Sequence, residues 1–227
     1  EIRWIASSLG PAREWDVFAT EALPPIMGAF PEHAGLARLA QVAEGLRTEG
    51  WEAARTAVAS ERYEHLLLRV SAWLTCEKWR AVMPQDALPI LAEPLQPFAV
   101  RMLQRRHRRV KRRGRDHERL TPEERHGLRI ALKKLRYCAE FFGPIFEPDA
   151  MRAYTRVLAD LQNLLGVLND AAVTGRLLVE LAARHPGPDL GEALGIVQGW
   201  TRQFTVERLG HLAEAWERFE DGKPFWR

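Results

Sequence analysis

Leu120–Phe142 reads LTPEERHGLRIALKKLRYCAEFF, and its two ends decide what kind of element it is. Thr121 supplies an N-cap hydroxyl, Pro122 suits the first helical position, and Glu124 stands three residues after the cap to complete a capping box. Gly143-Pro144 stops the helix. The span predicts about six turns, a rod of about 30 Å. At 100° per residue, Leu128, Ala131, Leu132, Leu135, Ala139 and Phe142 gather on one side and are expected to face the core. His126, Arg129, Lys133 and Arg136 fall within about 80° of each other on the flank of that stripe, lined along one edge over about 15 Å. Lys134 points elsewhere and is expected at a rim.

The stretch before it, FAVRMLQRRHRRVKRR (Phe98–Arg113), is built the same way. Ala99, Leu103 and Val110 mark its buried side, and Arg101, Arg105, Arg108 and Arg112 form a second stripe within about 60°. A short connection makes the two helices antiparallel neighbours, so the stripes are expected to face each other across a groove. Like charges at such spacing repel, which makes sense if the groove holds many negative charges at once.

Charge is segregated along the whole chain. The net balance is +3 over 227 residues. Arg101–Arg136 alone carries fifteen Lys/Arg against four Asp/Glu, and the remainder holds 18 basic and 26 acidic residues. A field divided this way points to an anionic partner on one side. A solvated basic surface, or a seam salt-bridged to acids on other helices, is the plain alternative.

Elsewhere the periodicity is helical and no strand is evident. Breaks at Pro24-Pro25, Phe30-Pro31, Met83-Pro84, the prolines at 89, 94 and 97, Gly114, Gly143-Pro144 and His185–Pro188 leave helices at about 1–22, 34–49, 51–82, 98–113, 122–142, 149–184 and 189–221. The fold class is all-α, made of long antiparallel helices. No apolar run is long enough to span a membrane. Cys76 and Cys138 fit no metal or redox spacing, and a reducing cytoplasm is the expected compartment.

The chain also echoes itself. Leu9–Val17 (LGPAREWDV) matches Leu165–Val173 (LGVLNDAAV) at an offset of 156 residues, sharing Leu, Gly and Val with an acid at Glu14/Asp170. Each half closes on a tryptophan-bearing helix, RYEHLLLRVSAWL at 62–74 and LAEAWERF at 212–219. One domain of two repeats is expected, 1–97 as a partial first and 98–227 as the second. The same offset puts the counterpart of His126 about thirty residues before Glu1, where another histidine-led basic helix is expected.

LTPEERHGLRIALKKLRYCAEFF followed by LADLQNLLGVLNDAAV (158–173) resembles the second half of a CHAD domain, the conserved-histidine α-helical domain. EIRWIASSLGPAREWDVF (1–18) resembles the matching piece of that family's first half, and FAVRMLQRRHRRVKRRGRD (98–116) sits where the family has a basic run. The likeness is strong around 98–173 and weaker in 30–97 and 185–227. It implies two pseudo-symmetric four-helix bundles around a basic central channel that binds inorganic polyphosphate, with the first half incomplete here. The family's histidine with basic residues at +3, +7, +8 and +10 falls on His126, Arg129, Lys133, Lys134 and Arg136. The first-half copy of that motif is absent from this sequence.

Arg129, Lys133 and Arg136 are thus the first candidates for polyphosphate contact, then Arg101, Arg105, Arg108 and Arg112, with Lys134 at a rim and Arg13 at a matching repeat position. Guanidinium forks suit phosphate oxygens and keep their charge. His126 reads either as a cation beside phosphate or as a hydrogen-bonded histidine beside the core, and no His-x-x-x-His pair or cysteine cluster supports metal ligation. Tyr137 could cap the groove or pack between helices. Asp170 reads as an orienting partner for a cation or as a local polar contact, and Glu14 as its first-half equivalent. The tryptophans offer no base-stacking platform, so nucleic acid is the less favoured partner. Clustered carboxylates, a glycine-rich phosphate loop and a nucleophile paired with a base are all missing, so no enzyme activity and no cofactor are expected, though an accessory role beside a phosphoanhydride hydrolase fits the family.

Overall fold

In the computed structural model the backbone is described throughout, and the side chains of all residues but 86–88 and 188–189. The described residues contain helices and turns and no strand. The main helices are α1 (Ile2–Val17), α2 (Leu23–Ala29), α3 (Ala34–Val58), α4 (Glu61–Thr75), α5 (Lys78–Ala81), α6 (Leu95–Arg113), α7 (Pro122–Phe142), α8 (Pro148–Arg184), α9 (Pro188–Gly210) and α10 (Leu212–Asp221). The chain divides into two compact units that interleave in sequence. One takes Glu1–Leu91 with Val173–Thr201, the other Ala92–Ala172 with Arg202–Arg227.

In the first unit α1 packs along α3 over a core that includes Trp15, Phe18, Ile26, Leu39 and Leu181. Two expected breaks resolve differently from their reading in sequence. Pro24 and Pro25 lie in the first turn of α2, which a short π-turn at Phe18–Ala22 joins to α1 in one continuous run of helical backbone. Gly50 lies inside α3, which continues unbroken to Val58. A Cβ there would come within 3.0 Å of the Ala12 backbone. The glycine therefore serves the close crossing of α1 and α3. The true stop is at Ala59, after which the Ser60 side chain caps α4 by accepting from the Tyr63 N–H. None of α4's described residues is buried.

The second unit carries α6, α7, the opening part of α8, the end of α9 and α10. Its core joins Leu103 and Val110 of α6, Leu128 and Leu132 of α7, Leu158 and Leu165 of α8, and Trp216 and Phe219 of α10. Gly114, expected as a helix stop, does end α6. A Cβ at this position would fall 2.0 Å from the Trp216 ring, so the bare backbone is what lets the indole lie there. His117 stacks on the same indole, with ring centroids 5.3 Å apart.

Candidate anion-binding surface

Helix α7 begins as its sequence dictates. Thr121 Oγ1 accepts from the Glu124 N–H at 3.2 Å, and the Glu124 carboxylate accepts from the Thr121 N–H at 2.8 Å. The phase this sets puts Leu128, Ala131, Leu132, Leu135, Ala139 and Phe142 in the core, the six expected residues. Two flanks remain. One carries His126, which is exposed, and Arg129, Lys133 and Arg136, which are half-buried.

That flank meets α8. His126 Nδ1 lies 2.6 Å from Asn169 Oδ1. The Asn169 amide in turn donates to Asp170 Oδ1 at 3.2 Å. Arg129 reaches across to Gly166, where an added Cβ would stand 3.9 Å from its Nε. The Arg129 Nε proton is buried and has no hydrogen-bond partner among the described residues. Arg136 Nε comes within 3.0 Å of Glu140 Oε1, yet the pair is not aligned as a hydrogen bond and this donor is also unsatisfied. Lys133 Nζ and the Arg136 guanidinium each lie 5.9 Å from the Tyr137 ring centroid. Tyr137 is half-exposed and serves as a cation–π neighbour, not as packing between helices.

The other flank of α7 meets α6. Gly127, Ile130, Ala131 and Lys134 line a small cavity of about 80 Å³ together with Arg109 and Arg113. A Cβ on Gly127 would stand 2.2 Å from Arg113 Nη1, so the glycine gives that guanidinium its seat. The two expected stripes consequently do not face each other across the α6–α7 seam. Lys134 lies at that seam.

Along α6, Arg105, Arg106, Arg108, Arg109 and Arg112 line an open cleft of about 680 Å³. Arg101, first of the expected stripe, forms a bidentate pair with Glu93, which holds that carboxyl below its usual range. Arg13 lies in the first unit, exposed on α1 one turn before Asp16. Glu14 pairs there with Arg176 at 3.1 Å. Arg106, Arg109 and Arg113 lie outside the expected stripe, although their i, i+3, i+7 spacing marks a second edge of the helix. His107 lies outside it too. This imidazole is buried among aromatic rings, with Nδ1 2.7 Å from the Tyr154 hydroxyl. Burial pushes it down to about 4, helped by Lys111 and Arg227.

Among the described residues no group of three or more His, Cys, Asp or Glu side chains is placed to hold a metal ion. No described helix is long and apolar enough to cross a membrane.

The family model of the CHAD domain matches residues 1–179. The chain belongs to the CHAD-domain family. A solved structure bears out the CHAD fold: the crystal structure of the CHAD domain from the plant Ricinus communis has a TM-score of 0.78 and 30% sequence identity, over 95% of this chain and 70% of that one. No curated protein matches significantly. The cation rows on α6 and α7 both fall within the matched part of this CHAD domain.

Proposed function

We propose that this CHAD domain binds inorganic polyphosphate without turning it over. Arg129, Lys133 and Arg136 of α7 form one cation row, and Arg105, Arg106, Arg108, Arg109 and Arg112 of α6 another. One observation carries the reading. Of the fifteen cations from Arg101 to Arg136, only Arg101, Lys111 and Arg136 make ion pairs with acids among the described residues. Glu124, one of the four acids in that stretch, is engaged in the capping box. Cations that repel one another at helical spacing gain most from a ligand that is negative at every unit. The guanidinium forks can take its oxygens in pairs. A domain of this kind serves as an adaptor that places its protein on polyphosphate-rich bodies in the cytoplasm.

Titration with polyphosphate of defined length over a range of salt tests this. If each of the eight cations meets one phosphate, a slope of about −0.7 per contact predicts a loss of about three decades in affinity between 50 and 200 mM salt. Charge reversal at Arg129, Lys133 and Arg136 removes the signal with helicity intact, and neutralising them flattens the slope by about 2. Duplex DNA that competes on equal terms at physiological salt would favour nucleic acid as the partner instead.

A further inference from the structure

The Asn169–His126 contact fixes more than a ring orientation. Asn169 Nδ2 donates to Asp170 Oδ1 at 3.2 Å, so the amide presents its oxygen to His126. A flipped amide would set that oxygen against the Asp170 carboxylate, two acceptors face to face. Asn169 Oδ1 can only accept, and it stands 2.6 Å from His126 Nδ1. The contact is a hydrogen bond only with the hydrogen on Nδ1. A neutral imidazole has one N–H, which leaves Nε2 as a lone pair. Nε2 has no partner among the described residues, and His126 is exposed.

We infer that Asn169 is a positioning residue that holds His126 in its Nδ1–H tautomer, so that polyphosphate binding draws a proton from solution onto Nε2. The inference rests on the polyphosphate reading above. The oxygens of a phosphate chain accept and do not donate, so a lone pair turned toward them repels. A proton on Nε2 converts that contact into a charge-assisted hydrogen bond. Arg129 and Lys133 lie on the same edge of α7, and Arg113 of α6 rests against the neighbouring Gly127. Asp170 of α8 adjoins the contact through the Asn169 amide. Binding the polyanion reverses the local field and tips the balance to imidazolium. One proton is taken up per site, and no bond changes except the new N–H.

Two measurements on the full chain test this. Nitrogen-15 NMR of His126 without ligand is expected to show Nδ1–H and a bare Nε2. Asn169→Ala should shift the ring toward the Nε2–H form, and Asn169→Asp, which keeps an acceptor oxygen, should restore the Nδ1–H form. Calorimetric titration with long-chain polyphosphate, in buffers of different ionisation enthalpy, counts protons. The expected uptake approaches one at a pH where the free imidazole is neutral, with affinity improving up to about tenfold per unit of falling pH. His126→Gln abolishes the uptake. Asn169→Ala lowers the proton count, whereas a merely structural role would weaken binding and leave the count unchanged. An Nε2–H tautomer in the free chain, or the same proton count in His126→Gln as in the unaltered chain, overturns the inference. Absence of any binding by the unaltered chain removes the polyphosphate reading with it, whereas binding without proton uptake removes only this one.

Discussion

Acidification should destabilise the fold through its buried histidine, His107. Its ring is 7% exposed, contacts the Tyr154 hydroxyl, and packs 5.3 Å from Phe219 and 5.9 Å from Trp226. Burial moves it from an ordinary 6.5 to about 4. The unfolded chain therefore takes the proton first. The stability tied to the neutral ring is complete above pH 6.5, falls as the pH drops from there toward 4, and levels off below. At 1.36 kcal/mol per unit, the gap corresponds to about 3 kcal/mol lost across that window. Urea denaturation of the unaltered chain and of His107→Phe, at matched pH values, isolates the contribution from the carboxylates that titrate nearby. The variant should be weaker at neutral pH by about 1–3 kcal/mol, because the Tyr154 hydroxyl loses its partner. Its stability should also fall less steeply on acidification. Parallel curves for the two proteins between pH 6.5 and 4.5 would show that the proton goes elsewhere and that the buried ring is not the sensor.

Three further outcomes follow from the same geometry. Gly114→Val should cost about 2–4 kcal/mol, since its Cβ would overlap the Trp216 ring, and displaced indole should appear as a red shift in tryptophan fluorescence. Gly50→Ala gains about 1 kcal/mol of helix propensity but presses on the Ala12 backbone, so thermal denaturation should show a net loss. Thr121→Ala removes the cap of α7 and should lower stability by about 1 kcal/mol in chemical denaturation, with Thr121→Ser close to the original.

Helix α7 was readable from its residues because cap, period and stop all agree within one local segment. Its core face follows from that phase alone. What the phase could not reveal is which neighbour each flank meets. The Arg129 edge meets Asn169, 40 residues on by number, and the Lys134 edge meets α6, so the expected opposition of two arginine stripes gave way to two separate surroundings. His107 was hidden by composition: within RRHRR it reads as one more basic residue, although its place four after Leu103 and three before Val110 puts it on the apolar side. Gly50 misled for the opposite reason. A glycine can end a helix or let another backbone approach, and only the position of Ala12 separates the two. The interleaved units lay beyond the reach of local pattern, because which segments share a core depends on contacts across most of the chain.

The reciprocal cap of Thr121 and Glu124 has a consequence for what length changes the protein can absorb. By fixing where the first turn begins, it assigns a bearing to every later side chain on that rod. An extra residue before Thr121 would be taken up by the linker and leave the cations in place. The same insertion between Glu124 and His126 would swing the rest of the helix by about 100°, turning guanidinium groups into the hydrocarbon and leucines into water.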